Sequence, residues 1–137
     1  MFRISGPDGD AWLETEASGP GPLFEDLALG LYALSCGAAG IAPAESRRVS
    51  LSAESPQALA VAFLNELVFL MDTEGFVASS VKAEVSLAGG CAVGAELSGE
   101  TGAFARRKGI LVKAATYHGL EIGEKDGSWK AKIMLDI

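Results

Sequence analysis

Apolar residues recur along the chain at two different periods, and the shift between them separates helices from strands. Between Leu23 and Ser35, the residues Phe24, Leu27, Ala28, Leu31 and Leu34 fall three and four apart. That spacing predicts one apolar stripe on a helix. Glu25 and Asp26 then occupy its first turn, where carboxylates favour the helix dipole, and Gly37 is placed to end it. The preceding run Ser18-Gly19-Pro20-Gly21-Pro22 reads as a break in the chain. A second helix is predicted from Ser55-Pro56, a capping hydroxyl followed by a proline at the first helical position, as far as Met71. Asp72-Thr73-Glu74-Gly75 stops it. Leu59, Phe63, Leu67 and Leu70, with Leu64, Val68 and Met71 beside them, cover more than one stripe, which predicts a buried, central helix. Asn65-Glu66 stands out in such a place, because buried polar atoms need partners.

Period two marks the strands. Ala11–Ala17 sets Trp12, Glu14 and Glu16 against Leu13, Thr15 and Ala17, and Arg47–Ala53 sets Val49, Leu51 and Ala53 against Arg48, Ser50 and Ser52. The second half reads as β, with candidate strands Phe76–Leu87, Cys91–Ser98, Gly109–Ile122 and Trp129–Ile137. Gly89-Gly90 and Lys125-Asp126-Gly127-Ser128 are hairpin turns. Strands joined by such turns pair antiparallel. The expected fold is α+β, a two-layer sandwich in which a largely antiparallel sheet is covered by two helices, in a single domain over residues 1–137.

Composition narrows the function. Of 137 residues, 49% are hydrophobic, enough for a real core and too much for a disordered chain. Eleven Lys and Arg against eighteen Asp and Glu give a net charge of −7, which argues against direct, sequence-specific nucleic-acid binding and suits metal cations or a basic partner surface. No apolar run is long enough to predict a membrane span, and Met1 to Gly6 lacks the apolar region of a signal peptide. A cytoplasmic protein is expected. Cys36 and Cys91 stand in no ligand spacing and are expected to be two reduced thiols.

Motifs for catalysis are scarce. There is no nucleotide-binding glycine loop, no Cys-x-x-Cys and no zinc spacing, and a nucleophilic triad would depend wholly on His118. A metal-dependent hydrolase therefore ranks last among the readings. Carboxylates remain. Asp8 and Asp10 precede the first predicted strand, and Asp136 lies near the end of the last. If those strands meet, Asp10 and Asp136 converge, and with a terminal carboxylate or backbone oxygen they make a hard oxygen set suited to Ca²⁺ or Mg²⁺. Read singly, strand-end carboxylates are ordinary surface. Lys113 alternates with apolar neighbours and reads as a solvated strand residue. Tyr117-His118-Gly119 reads as a bend, and Arg106-Arg107-Lys108 as the basic tip of a hairpin loop.

Three stretches together resemble the archease family. Lys113-Ala114-Ala115-Thr116-Tyr117-His118-Gly119-Leu120 is similar to that family's K-A-x-T-Y-H-G-L signature. Leu64-Asn65-Glu66-Leu67-Val68-Phe69-Leu70-Met71-Asp72-Thr73-Glu74-Gly75 is similar to its L-N-E-L-L-F-L-x-D-T-E-G helix, and Leu135-Asp136-Ile137 to its L-D-I ending. The resemblance implies a protein that is not itself an enzyme. It implies an activator of an RtcB-type RNA ligase, promoting guanylylation of the ligase histidine and its turnover in RNA repair or tRNA splicing. The family is also described as a chaperone or modulator of a tRNA methyltransferase. The resemblance further implies a divalent cation, of the Ca²⁺ or Mg²⁺ type, held by Asp10, Asp136 and Ile137, and a ligase- or phosphate-facing role for Lys113. Ungapped counting back from Phe24 places Asp10 at the aspartate of the family's H-T-A-D motif. Pro7, Asp8 and Gly9 stand where its His, Thr and Ala would be, which makes Asp8 a rival to Asp10 as the ligand.

Overall fold

Proline and glycine, which on sequence alone break the chain, begin the first helix. The computed structural model describes residues 2–5, 10–37, 40–106 and 109–137, so Asp8, Arg107 and Lys108 lie outside the described residues. Helix α1 spans Pro20–Cys36. A proline at its first position has no N–H to satisfy, and the Gly19 carbonyl accepts from the Leu23 N–H at 3.0 Å. Glu25 and Asp26 therefore lie beyond the first turn, contrary to the expectation from spacing. Glu25 acts across the fold instead, its Oε2 accepting from the Ala83 N–H at 2.8 Å. Gly37 ends α1 as predicted, at φ 72°. Helix α2 spans Pro56–Glu74, three residues longer than expected at its C-terminus. Ser55 caps it, Oγ accepting from the Ala58 N–H at 3.0 Å, and Gly75 closes it in the left-handed region at φ 65°.

The described residues form seven strands: β1 (Phe2–Ser5), β2 (Asp10–Ala17), β3 (Glu45–Ala53), β4 (Val77–Ser86), β5 (Cys91–Glu100), β6 (Ala114–Lys125) and β7 (Ser128–Asp136). The α+β class and the antiparallel pairing are as the sequence predicts. The strands, however, divide between two sheets rather than forming one, in the orders β1-β2-β7-β6 and β3-β5-β4. Alternation specifies which face of a strand is buried but not which strand lies beside it. Both helices touch both sheets: α1 packs on β1, β2 and β4, and α2 on β3, β5 and β6.

Two local differences follow from contacts that the pattern does not carry. Strand β1 is only four residues long, with Phe2 and Ile4 turned toward the core and Arg3 and Ser5 exposed. Residues 109–113 are expected in a strand, yet β6 starts at Ala114. Gly109 lies so close to the end of α1 that a Cβ there would collide with the Leu34 carbonyl, and the Ile110 N–H donates to that same carbonyl at 2.9 Å. The segment belongs to α1 before it belongs to the sheet. The predicted turn at Lys125–Ser128 is present, with Asp126 at φ 53° and Gly127 at φ 80°. Two consecutive positive φ angles match the right-handed twist of the flanking strands.

Leu13, Phe24, Leu27, Leu31, Leu59, Phe63, Leu97 and Ile133 are fully buried. The Phe24 and Phe63 rings, one from each helix, sit 5.5 Å apart at 47°. No disulfide joins Cys36 and Cys91. Among the described residues no helix is long and apolar enough to cross a membrane. Phe63 is fully buried and its ring meets Phe24 of the other helix, so Phe63→Ala is expected to destabilise the protein by about 3–5 kcal/mol, read from urea unfolding. A loss under about 1 kcal/mol would mean that the helices do not share one core.

Candidate functional site

The site is built around the inner position of β7. Strand β2 pairs with it on one side and β6 on the other. The register sets the backbone of Asp10 directly opposite Asp136, and Ala114 opposite Asp136 from the other side. Directly opposed antiparallel residues have Cα atoms about 4.5–5.5 Å apart. Lys113 precedes β6, and its N–H donates to the Asp136 carbonyl at 2.7 Å. The Asp136 and Lys113 side chains are exposed, whereas Ile137 is half-buried against the core. The four residues singled out from the sequence, Asp10, Asp136, Ile137 and Lys113, thus come from three chain segments to one end of one sheet.

Beside them, β6 departs from regular pairing. While β7 passes from Met134 to Lys132, two positions, β6 passes from Thr116 to Glu121, five positions. The unpaired residues Tyr117-His118-Gly119-Leu120 arch out of the ladder. Gly119 adopts φ 64°, and a Cβ on it would lie 2.8 Å from Cη2 of Trp12. Glycine is therefore required twice over, for its backbone angle and for its approach to the indole. The Trp12 ring also meets Lys132, whose Nζ lies 4.7 Å from a ring centroid. The arch begins where the Thr116 hydroxyl donates to the Met134 carbonyl at 3.1 Å. The bend expected at Tyr117-His118-Gly119 is this arch, and His118 is exposed on it.

Asn65 meets β6 from α2. Its Oδ1 accepts from the Ala115 N–H at 2.8 Å, and its Nδ2 donates to the Ala115 carbonyl at 3.4 Å. The polar residue that is out of place on an apolar helix is thereby satisfied. Sequence reasoning assigns it no part in the site; the available signal is its isolation among Leu64, Leu67 and Val68. Arg106, by contrast, does not tip a hairpin. It lies in a 3₁₀ turn, Ala103–Arg106, and pairs with Glu100 at 2.7 Å.

On the sheet that carries Trp12, the Arg3 guanidinium bonds Glu14 at 2.6 Å. That bond holds the Glu14 carboxyl below the ordinary glutamate range, opposed by partial desolvation and aided by the charges of Arg3 and Lys132. The donors that would hold a cation are hard oxygens, from two aspartates and Ile137, and that chemistry fits Ca²⁺ or Mg²⁺. Among the described residues, no cluster of three His, Cys, Asp or Glu side chains is arranged for a metal. Large apolar side chains are also exposed near the motif lysine in sequence, namely Ile110, Leu111 and Tyr117.

Two helices between two antiparallel sheets, with a lysine and two aspartates gathered at the end of a central last strand, define a small α+β protein of one recognisable type. Residues 2–137 match the Archease protein family (MTH1598/TM1083), and the chain belongs to that family. The Protein archease of Archaeoglobus fulgidus is 30% identical over 137 residues, 99% of this chain and 98% of that protein. The Protein archease of Thermococcus kodakarensis is 34% identical over 117 residues, 83% of this chain and 82% of that one. The solution structure of protein 1598 from Methanobacterium thermoautotrophicum superposes with a TM-score of 0.81 at 27% identity, covering 99% and 98% of the two chains. The crystal structure of a Thermotoga maritima archease, described as a possible chaperone, has the same fold at a TM-score of 0.54 and 16% identity, covering 100% and 98%.

The Arg3–Glu14 bond makes the attachment of β1 depend on pH. A carboxyl whose folded pKa is lowered contributes stability above its unfolded value, and loses it as pH falls through the folded value. The Glu14 side-chain carbon signal in NMR is expected to titrate below the ordinary glutamate range, with the amides of Phe2–Ser5 losing hydrogen-exchange protection over the same interval. In Arg3→Gln the Glu14 midpoint should rise toward the ordinary value. An unchanged midpoint would show that Arg3 does not govern the group.

Proposed function

We propose that this protein is a non-catalytic, cytoplasmic activator of an RtcB-type RNA ligase that promotes guanylylation of the ligase histidine and so sustains turnover. The observation that carries the reading is the Lys113 N–H to Asp136 carbonyl bond of 2.7 Å, in a chain that belongs to the archease family. It ties the signature lysine to the last-strand aspartate, with Asp10 opposite in register.

Asp10, Asp136 and an oxygen of Ile137 would hold a divalent cation. A bound Ca²⁺ or Mg²⁺ supplies positive charge that neutralises phosphate oxygens. The chain's own contribution is to place donors. Asp136 is fixed between two paired strands, and Lys113 projects a long cation from a backbone bonded to the same residue. An ammonium on a flexible stem is suited to meet a phosphate or a partner carboxylate. The net charge of −7 suits docking on a protein better than binding RNA directly.

A second reading, a chaperone or modulator of a tRNA-modifying enzyme such as a tRNA methyltransferase, is favoured by one observation. Phe69 is 57% and Tyr117 60% exposed, with Ile110 and Leu111 also outside the core. Exposed apolar side chains of this size suit contact with a protein.

The test is guanylylation of the cognate ligase with and without this protein. Stimulation at substoichiometric amounts supports the activator. Suppressed aggregation of an unrelated client without stimulation supports the second reading, and turnover without any ligase would support a hydrolase. Lys113→Ala is expected to lose most of the stimulation while changing stability by under about 0.5 kcal/mol, because its side chain is exposed. Asp136→Ala should abolish calcium binding in titration calorimetry, again with little loss of stability. Unchanged calcium affinity would remove Asp136 from the metal site, and full stimulation by Lys113→Ala would remove that lysine from the mechanism.

A further inference from the structure

We infer that Asn65 is a positioning residue for Lys113, holding it in register with Asp136 from outside the sheet; this rests on the activator reading. Strand β6 is the outer strand of its sheet, so among the described residues one side of it has no neighbouring strand. At Ala115 the missing neighbour is replaced by a side chain. One carboxamide both accepts from the Ala115 N–H at 2.8 Å and donates to its carbonyl at 3.4 Å. It reproduces on one residue the two bonds that a paired strand would make.

The need for such a clamp comes from the arch. The break between Thr116 and Glu121 cuts the start of β6 off from the long hairpin that joins it to β7. Only Ala114, Ala115 and Thr116 pair with β7 before the break. Burial of Val112 and Ala115 anchors this short piece in depth. Apolar packing is non-directional, so it does not specify how far the piece slides along β7. Hydrogen bonds do. Asn65 is itself fixed, because Leu64, Leu67 and Val68 on the same helix are buried. The support therefore runs from the core through α2 and Asn65 to Ala115, and two residues back along the chain to Lys113 and its bond with Asp136.

Among side chains of this length, asparagine alone suits the task. An aspartate would still accept from the N–H but would set a negative charge against the Ala115 carbonyl. An alanine would leave both Ala115 groups without their partner.

The experiment uses Asn65→Asp and Asn65→Ala, each in the natural chain and in Lys113→Ala. The first measurement needs no ligase: amide hydrogen exchange at Lys113 is expected to accelerate about tenfold or more in Asn65→Asp, the scale of losing the bond that protects it. The second is ligase guanylylation at temperatures well below every melting point. Asn65→Asp should lower maximal stimulation about fivefold or more, with under about a twofold change in the concentration giving half the effect, as expected when the partner still docks but a group is misplaced. In the Lys113→Ala background Asn65→Asp should cause no further loss of stimulation, while lowering the melting temperature as much as it does in the natural chain. That pattern separates positioning from mere stability. Unchanged Lys113 exchange, or an equal further loss in the Lys113→Ala background, would overturn the inference. If the natural protein does not stimulate the ligase, the activator reading falls, and the exchange at Lys113 alone decides whether Asn65 positions it.

Discussion

Strand β7 must be paired on both sides at once, and the candidate site exists only where that requirement is met. Its partners come from different parts of the chain, β2 from near the N-terminus and β6 from the hairpin directly before it. Ile133 and Leu135 of β7 are buried, and so are the residues across the ladder from them, Leu13, Ala11 and Ala115. The apolar face of β7 thus fixes which side of each neighbour faces the core, and the paired register brings the backbones of Asp10 and Lys113 to Asp136. A one-residue slip would expose Ile133 and Leu135 and dismantle the site in the same step.

The helices complete this arrangement by closing strand edges with polar side chains. Asn65 on α2 engages Ala115 of β6, and Glu25 on α1 engages the Ala83 N–H of β4. Both strands are outermost in their sheets. Covering an outer strand satisfies backbone groups and denies them to another chain. Each helix thereby does two jobs, burying apolar surface inside and holding one strand edge outside.

Much of this fold is legible in the sequence. The caps at Ser55 and Gly75, the turn at Asp126-Gly127 and the alternation in β2, β3, β5 and β7 each have a local physical cause, so local reading finds them. The start of α1 is not legible, because Pro20 and Pro22 signal a break and a helix start equally well. The division into two sheets is hidden too, because pairing is a non-local property. At the site, spacing alone makes Asp10 and Asp136 two separate surface charges. The resemblance of the signature stretches draws them together, and the β2–β7 register places their backbones opposite one another. The place of Asn65 is open to view as an unmet hydrogen-bonding need, but its partner, fifty positions further along at Ala115, is not.

The position of β7 also has a kinetic consequence. The sheet β3-β5-β4 is drawn from one continuous stretch, residues 45–100, with α2 inside it. Its strand partners lie no further apart in sequence than Glu45 and Gly99. Strand β2 must wait for a partner that begins more than a hundred residues later, at Ser128. Contacts of such separation are slow to form, because the intervening chain must be ordered before they repay its entropy. The topology therefore makes the joining of β2 to β7 the costliest loop closure among the described strand pairings, although β7 itself has a local partner in β6.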